Sequence, residues 1–345
     1  MYLIRQFADD AGKKGGEFYT PHGVVQLLVE LLKPQEGMTI CDPTIGSGGM
    51  LLECVRYVKR NDGNPKNLSL FGQEKNLNTW AIAKINMLLH DRLDDRIEKG
   101  DTIRDPKLLN DNGELKLFDI VLANPPFSLS RWGKDEAEAD GEKWNRFGFG
   151  VPSKSYGDLA FVQHMLSTLK IDGRCGVVMP HGVLFRGGKE AKIREGIIER
   201  DWLEAVIGLP ENLFYGTGIP ACILIFNKAK KHRGEVLFIH AAENYGSGTN
   251  QNILLDTHIE RIQKAYVAWV DEDRYASVVP IEEIRENDYN LNIPRYVDTV
   301  EPEEPVDLDA AIAPYEQARQ TRMEAESKLA QHMRRLGFSL GDEDA

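Results

Sequence analysis

The fold of this chain is decided by the stretch Phe118-Asp119-Ile120-Val121-Leu122-Ala123-Asn124-Pro125-Pro126-Phe127. Its apolar run predicts a strand that is buried on both faces of a parallel sheet. Two consecutive prolines cannot continue a hydrogen-bonded ladder, because neither carries an N–H group. The chain must therefore leave the sheet directly after Asn124, at the carboxyl end of a strand, where open α/β sheets place their ligands.

The elbow formed by Asn124, Pro125, Pro126 and Phe127 carries groups that can hold an amine attached to an aromatic base. The Asn124 carboxamide oxygen and the backbone carbonyl of the Asn–Pro peptide can accept both hydrogens of such an amine. Two acceptors stabilise the positive charge that develops on the nitrogen during attack, without a titrating base. Phe127 can stack on the base, which is worth about 1–3 kcal/mol. A purely structural turn is the alternative interpretation.

A glycine-rich turn follows the first predicted strand. Met38 to Asp42 predicts this strand, and Gly46-Ser47-Gly48-Gly49 separates it from apolar residues at helical spacing. Such a turn lets a ligand approach backbone N–H groups closely. A phosphate-binding loop is one candidate, but the Gly-Lys-Ser/Thr ending and the dinucleotide spacing are missing. The methionine part of S-adenosylmethionine also suits a glycine-rich turn in this position.

Two further predicted strands end in carboxylates. Ser69 to Glu74 predicts the second strand, and Glu74 at its tip can accept hydrogen bonds from both ribose hydroxyls of a nucleoside. Glu98 to Thr102 predicts the end of the third strand, where Asp101 can accept a hydrogen bond from the adenine amine of a cofactor. A solvated carboxylate at the end of a strand is the alternative for Glu74.

The rest of the chain alternates between predicted helices and strands. Strands are predicted at 176–180, 203–209, 221–226 and 235–240, with a helix at 188–200 between them. A helix at 80–90 is expected to bury the apolar residues Ile82, Ile85, Leu88 and Leu89. This alternation predicts an α/β fold with a mostly parallel, doubly wound sheet.

Residues 128–157 differ in composition from the segments around them. Five aromatic residues (Trp132, Trp144, Phe147, Phe149 and Tyr156) alternate with basic residues such as Arg131, Arg146 and Lys154. This mixture predicts a mobile loop that closes on an unstacked base and its flanking phosphates. A tolerant surface insertion is an equally good interpretation.

The overall composition is typical of a protein with a substantial buried core, since 42% of the 345 residues are hydrophobic and 28% are charged. No apolar stretch approaches the roughly 18 residues of a membrane-spanning helix. The first residues lack the basic and long apolar regions of a signal peptide. The four cysteines stand singly, so we expect no metal site, no disulfides and a cytoplasmic location.

The formal net charge is −12, and residues 301–345 contribute strongly to it with 11 acidic against 5 basic residues. Such a chain lacks the general basic footprint of a nucleic-acid-binding protein. If DNA is its substrate, part of the grip on DNA must come from a partner. Residues 299–345 are acidic and then helical, which predicts a tail that docks on a partner.

Three motifs occur in one order: Glu17-Phe18-Tyr19-Thr20-Pro21, then Asp42-Pro43 with Gly46-Ser47-Gly48-Gly49-Met50-Leu51, then Asn124-Pro125-Pro126-Phe127. Together they resemble the N6-adenine DNA methyltransferase family, and within it the modification (M) subunit of type I restriction–modification systems. Asp288 to Val297 also resembles the segment that follows the catalytic domain in that family. The resemblance covers residues 11–298.

The resemblance implies a seven-stranded S-adenosylmethionine-dependent methyltransferase fold that methylates the N6 amine of a flipped adenine. It places the target adenine at Asn124, Pro125, Pro126 and Phe127. It places S-adenosylmethionine at Glu17, Phe18, Tyr19, Thr20, Pro21, Asp42, Gly46, Ser47, Gly48, Gly49, Glu74 and Asp101. The implied partners are double-stranded DNA, a specificity (S) subunit and, in the larger complex, a restriction (R) subunit.

The sequence departs from the family pattern at two places. Ile45 stands where the family often has a smaller residue. Only about 16 residues precede the Glu17–Pro21 motif, where the family usually carries a helical domain, so we expect residues 1–14 to be a remnant of that region and residues 15–298 to form the catalytic domain. A methyltransferase acting on RNA or on a protein glutamine, and a truncated scaffold without activity, are the alternative functions.

Overall fold

The computed structural model of this chain describes residues 20–214, 218–248, 251–299 and 308–338. The chain divides into two units, Met1–Thr299 and Val300–Ala345. The predicted helical remnant at 1–14 and the predicted cofactor residues Glu17, Phe18 and Tyr19 lie outside the described residues.

The first unit alternates between helices and strands as the sequence predicts. Its helices are α1 His22–Leu32, α2 Gly49–Arg60, α3 Leu77–Leu89, α4 Lys134–Trp144, α5 Asp158–Ser167, α6 Gly182–Phe185, α7 Lys189–Glu199, α8 Asp256–Ala268 and α9 Ile281–Glu286. Its strands are β1 Thr39–Asp42, β2 Ser69–Glu74, β3 Arg96–Lys99, β4 Phe118–Ala123, β5 Leu169–Pro180, β6 Leu203–Gly208, β7 Ala221–Asn227, β8 Glu235–His240, β9 Gly246–Ser247, β10 Asn252–Ile253 and β11 Ala276–Pro280.

The main sheet has nine strands in the order β11-β8-β6-β7-β5-β4-β1-β2-β3. The five strands β3, β2, β1, β4 and β5 are parallel to one another. Strand β7 runs antiparallel to both β5 and β6. The predicted α/β fold with a mostly parallel, doubly wound sheet is confirmed. The sheet has nine strands rather than the seven that the family resemblance implies. The predicted strand at 235–240 is β8, which pairs parallel to β6, whereas β11, which pairs antiparallel to β8, was not predicted.

The core lies on both faces of this sheet. In β4, Ile120 and Leu122 face one hydrophobic cluster, whereas Val121 and Ala123 face the other. The first cluster includes residues of α1, α2 and α8, and the second includes residues of α5 and α7. The prediction that the strand before the elbow is buried on both faces is therefore confirmed.

The predicted buried face of the helix near 80–90 is wrong. Ile85, Leu88 and Leu89 are 56%, 48% and 69% exposed, and the buried residues of α3 are instead Thr79, Ala83, Asn86 and Met87. This second face is turned inward, where Asn86 stabilises the glycine-rich turn. Its Nδ2 donates to the Ser47 carbonyl at 2.8 Å. Apolar residues occur on both sides of α3, so helical spacing alone could not tell which side the sheet covers.

Residues 128–157 are a packed element with a helix of their own, α4. Trp132 and Phe147 are buried in a small cluster with Ile103 and Phe161. The Arg146 guanidinium is buried as well and donates to the carbonyls of Thr102 and Ile103. Neither buried ring is free to stack on a base in this conformation. The predicted closure of this segment on a base stays a prediction, and it would have to use the exposed residues of the segment.

The second unit contains α10, Leu308–Arg335. Apolar residues along it, including Ile312, Tyr315 and Leu329, are exposed. Across the described part of the chain, every helix falls short of the length and apolar character needed to cross a membrane.

Candidate functional site

The carboxyl ends of three neighbouring strands bring the predicted site residues to one edge of the sheet. β1 pairs with β4 through Cys41 and Val121, and with β2 through Asp42 and Gly72. Adjacent strands lie about 4.8 Å apart. The glycine-rich turn after β1, the Glu74 tip of β2 and the Asn124 elbow after β4 are therefore neighbours.

The glycine-rich turn is held by β2 and α3. Gly46 and Gly48 have φ of +54° and +84°, in the left-handed region that favours glycine. The Gly46 N–H donates to Glu74 Oε2 at 3.2 Å, and the Ile45 N–H donates to the Gln73 carbonyl at 3.1 Å. Because β2 fixes this loop from one side, its backbone conformation is set before any ligand binds.

Ile45, which is larger than its usual counterpart, fits into space left by Gly72 of β2. A Cβ atom at position 72 would lie 2.5 Å from Ile45 Cδ1 and 3.1 Å from its Cβ. The Ile45 side chain is buried. The missing side chain at 72 therefore accommodates the extra bulk at 45, a compensation between two residues that are far apart in the sequence.

This compensation predicts a coupled pair of substitutions. We expect Gly72→Ala to lower the free energy of unfolding by about 1–3 kcal/mol, because the new methyl group overpacks the turn. Ile45→Val removes the closest atom, Cδ1, and should restore part of the loss in the double variant. Chemical denaturation of the four proteins measures both effects. Gly148→Ala is the control, since a Cβ there meets nothing within 4 Å; equal losses with and without Ile45→Val would contradict the coupling.

Asp42 is the most deeply buried carboxyl at this edge, with 2% of its surface exposed. Its Oδ1 accepts the Thr44 N–H at 3.0 Å. Burial raises the pKa of Asp42 to about 8; the Thr44 hydrogen bond opposes this rise and the Glu74 charge adds to it. Burial also raises the pKa of Glu74. The site therefore contains a carboxyl that is protonated at neutral pH.

Glu74 keeps acceptor capacity for a ligand. Its Oε2 accepts the Gly46 N–H and its Oε1 accepts the Asn76 N–H at 2.8 Å. A carboxylate offers about four acceptor positions. The remaining positions suit the ribose hydroxyls for which the sequence proposes this residue.

Asp101 is in a different situation, because its acceptor positions are occupied. Oδ1 accepts the N–H groups of Ile103 and Arg104, both at 3.0 Å. Oδ2 lies 3.0 Å from Lys75 Nζ and 3.2 Å from Arg104 Nη1. Although burial opposes it, the hydrogen bonds from Arg104 and Lys75 hold the pKa of this carboxyl below its usual value. A contact with a cofactor amine would require one of these partners, such as the exposed Lys75, to move away.

The nitrogen and the oxygen of the Asn124 carboxamide have different surroundings. Its Nδ2 donates to the Thr20 hydroxyl at 3.1 Å. Its Oδ1 is buried and has no hydrogen-bond partner among the residues that the structure describes. The Phe127 ring packs edge-on against Phe214, with 5.5 Å between ring centroids and an interplanar angle of 64°. The elbow thus presents one unsatisfied acceptor beside a braced aromatic ring.

Three residues contribute to this site in ways that were not predicted from the sequence. Thr20 contacts Asn124, although its motif predicts a cofactor contact. Phe214 comes from the β6–β7 connection, and no local pattern marks it. Thr44 lies inside the motif, and its buried Oγ1 lacks a hydrogen-bond partner in the described ranges of the chain. A hydroxyl next to a glycine-rich turn is a signal that sequence reasoning could have used for Thr44.

Comparisons with known proteins identify the family of this chain. The sequence model of the N-6 DNA methylase family matches residues 1–305. The type I restriction enzyme MjaVII methylase subunit of Methanocaldococcus jannaschii is 40% identical over 319 residues, which cover 89% of this chain and 54% of that protein. The HindI methylase subunit of Haemophilus influenzae is 34% identical over 313 residues, which cover 88% of this chain and 68% of that protein.

A solved structure is similar as well. The type I restriction-modification system methyltransferase subunit from Streptococcus thermophilus matches with a TM-score of 0.79 and 41% identity, over 87% of this chain and 63% of that one. The chain spans about half the length of the MjaVII subunit. The family inferred from the sequence motifs is confirmed: the chain belongs to the N-6 DNA methylase family.

Proposed function

We propose that this protein transfers a methyl group from S-adenosylmethionine to the N6 amine of an adenine that is flipped out of duplex DNA. The observation that carries the proposal is the Asn124 carboxamide. Within the described part of the chain its buried oxygen has no partner, while its nitrogen donates to Thr20. An unsatisfied buried acceptor costs about 1–3 kcal/mol. This cost is recovered when a ligand donates a hydrogen bond to the acceptor, and an amino group is a donor that fits.

The residues of the elbow would act on the amine in the following way. Asn124 Oδ1 and the backbone carbonyl of the Asn–Pro peptide accept its two hydrogens and turn its lone pair away from the aromatic ring. They would also stabilise the positive charge that builds up on the nitrogen as the N–C bond forms and the methyl–sulfur bond breaks, with its electron pair going to sulfur. The methylated nitrogen then loses one proton to water and becomes a neutral secondary amine. Phe127, braced by Phe214, stacks on the base. Flipping the base costs a few kcal/mol, which these contacts offset.

The residues around the glycine-rich turn fit S-adenosylmethionine, which when bound supplies a methyl group on a positively charged sulfur. Gly46, Ser47, Gly48 and Gly49 let a ligand approach the backbone closely. Glu74 has acceptor positions left for ribose hydroxyls, and Asp42 gives the turn a carboxyl at its start. We add Thr44 to this set, because its unpartnered buried hydroxyl needs a hydrogen-bonding group.

Other parts of the predicted cofactor set are proposed on the family resemblance. Glu17, Phe18, Tyr19 and Pro21 remain in the set for that reason. Thr20 is reassigned to the target side of the site, where it orients Asn124. Asp101 is proposed as a cofactor contact only with Lys75 displaced from its carboxylate.

We further propose that the protein works as the modification subunit of a type I restriction–modification system. The relatives named above are methylase subunits of type I restriction enzymes. The net charge of −12 fits an enzyme that takes much of its DNA affinity from an S subunit, and a restriction subunit would join the same complex. Residues 15–298 would form the catalytic domain and 299–345 a docking tail, a layout that the division at Thr299 supports. A cytoplasmic location follows from this role.

The decisive experiment is a methylation assay with labelled S-adenosylmethionine and duplex DNA, with and without a specificity subunit. We expect label in N6-methyladenine, and a strong increase when the specificity subunit is present. Label in RNA or in protein glutamine would replace the proposal by one of these activities. Failure to bind S-adenosylmethionine in calorimetry would point to a scaffold without activity.

The role of Thr20 predicts a difference between two conservative variants. Thr20→Val keeps the shape but removes the hydroxyl, so the Asn124 carboxamide loses the bond that orients it. We expect the single-turnover rate of methyl transfer to fall about 5–10-fold, the effect of losing one hydrogen bond. Thr20→Ser keeps the hydroxyl and should stay close to the unmodified protein. Equal rates for the serine and valine variants would show that the hydroxyl does not matter.

A further inference from the structure

The residue directly after the elbow has an unfavourable backbone conformation. Ser128 has φ of +51°, in the left-handed region that residues with a side chain rarely adopt. Phe127 precedes it, so the φ and ψ angles of Ser128 decide where the chain goes after the ring. A strained residue at such a position persists only where its surroundings hold it.

Two charged side chains hold Ser128, the buried Asp158 and the partly buried Arg186. Its N–H donates to Asp158 Oδ1 at 2.7 Å, and its Oγ accepts from Arg186 Nη2 at 3.1 Å. Arg186 Nη1 donates to the other Asp158 oxygen, Oδ2, at 2.7 Å. Ser128, Asp158 and Arg186 thus form a closed triangle of hydrogen bonds. Asp158 is the first residue of α5 and only 1% exposed, which removes competition from water.

The rest of the surroundings keeps Arg186 in this place. Gly182 leaves the space that its guanidinium fills, because a Cβ at 182 would lie 2.5 Å from Arg186 Nη2. Tyr156 stacks over the guanidinium, with 4.0 Å from Arg186 Cζ to the ring centroid, and is itself 40% exposed. Glu190 lies 3.6 Å from Arg186 Nη1. The triangle therefore joins the elbow to the end of the 128–157 segment and to the chain after β5.

We propose that Asp158 and Arg186 are positioning residues for the target base, acting through the backbone of Ser128. They hold the exit of the elbow in its strained conformation and thereby fix Phe127 and Asn124 relative to the base. The inference rests on the proposed function and deepens it, since it names the groups that shape the base side of the site. Through Tyr156, the same pair ties the position of the elbow to the 128–157 segment.

Asp158→Ala tests the inference by the rate of methyl transfer. We expect the single-turnover rate to fall about 10²-fold, the effect of a misplaced reacting group, while the dissociation constant of S-adenosylmethionine stays unchanged. With 2-aminopurine in place of the target adenine, we expect brighter fluorescence than with the unmodified protein, because the flipped base no longer stacks on Phe127. Arg186→Lys should shift both quantities in the same direction. An unchanged rate would overturn the inference.

A second substitution separates positioning from mere structural support. Glycine adopts positive φ without help, so Ser128→Gly added to Asp158→Ala should restore part of the lost rate. Glu204→Ala is the matched control, because Glu204 is also a buried acid paired with an arginine, at 3.1 Å from Arg174. We expect it to lower stability and leave the rate unchanged. Absence of rescue by Ser128→Gly, or an equal loss of rate in Glu204→Ala, would overturn the inference.

A crystal structure of Asp158→Ala tests the inference independently of the proposed function. We expect Ser128 to leave the left-handed region and the Phe127 ring to move with it. A Ser128 φ that stays near its present value would overturn the inference whether or not the protein methylates DNA. Should Asp158→Ala fail to fold, Arg186→Lys provides the same readout, because an ammonium cannot bridge Ser128 Oγ and Asp158 Oδ2 as the guanidinium does. Failure of the unmodified protein to form N6-methyladenine would instead refute the proposed function alone.

Discussion

Asn124→Ala is expected to lower the rate of methyl transfer to adenine by about 10²–10³-fold, the effect of removing one preorganised dipole from a charge that develops during reaction. The substitution removes the unpartnered Oδ1 and leaves the Pro125-Pro126 backbone in place. Binding of S-adenosylmethionine should be unchanged, because the bonds that hold the glycine-rich turn and Glu74 come from Gly46, Asn76 and Asn86. Single-turnover methylation and calorimetry measure the two quantities separately.

The control for this variant is Asn287→Ala, which removes a partly exposed asparagine bonded to the Glu283 carbonyl and to Arg295. It should not alter the rate. An Asn124→Ala protein that turns over normally would refute the assignment of the elbow as the amine-binding group. A variant that also loses cofactor binding would instead show that Asn124 supports the fold of the whole edge.

The second large effect is on the pH dependence of cofactor binding. Asp42 has a pKa of about 8, so below that pH it is protonated in the free protein. A positively charged cofactor at the turn that follows Asp42 favours the ionised carboxylate, so binding releases a proton. We expect the affinity for S-adenosylmethionine to rise with pH, by up to about tenfold per pH unit, and to level off above pH 8. Calorimetry in two buffers of different ionisation enthalpy counts the released protons.

Asp42→Asn provides the comparison, since it cannot release a proton and should bind with a flat pH profile between about 5 and 8. Glu74 also has a raised pKa, and any slope that remains in the variant would come from it. The same proton affects stability. Because the folded state keeps a proton on Asp42 that the unfolded chain loses near pH 4, the free energy of unfolding should fall as the pH rises from about 4 to 8. Binding of S-adenosylmethionine that releases no proton, with an affinity that does not change with pH, would contradict the role given to Asp42.

Local sequence patterns were enough to predict the sheet edge that carries the site. Pro125 and Pro126 lack the N–H groups of a continuing strand, and Gly46 and Gly48 occupy left-handed φ values, so in each case the residue type itself limits the backbone. The alternating burial of β4 follows from the same kind of local information. These constraints act over a few residues, which is why the strand, the turn and the elbow were correctly predicted.

Contacts between distant residues were decided only by the tertiary structure. The burial of Asn86 and Met87 rather than Leu88 and Leu89, the fit of Ile45 against Gly72, and the hydroxyl of Thr20 on Asn124 all depend on which elements the sheet order brings together. Periodicity shows that a helix has an apolar face, but it cannot choose between two candidate faces.

The sequence by itself therefore determined the family, the order of its motifs along the chain and the residue types at the edge of the sheet. The tertiary structure decided how those residues are oriented. It holds the Asn124 nitrogen on Thr20 while the carboxamide oxygen stays available, it fills the acceptor positions of Asp101, and it places Asp158 and Arg186 on Ser128. The physical reason is range. Backbone constraints are written in neighbouring residues, whereas hydrogen-bond partners and burial are set by groups that meet only when the whole sheet has formed.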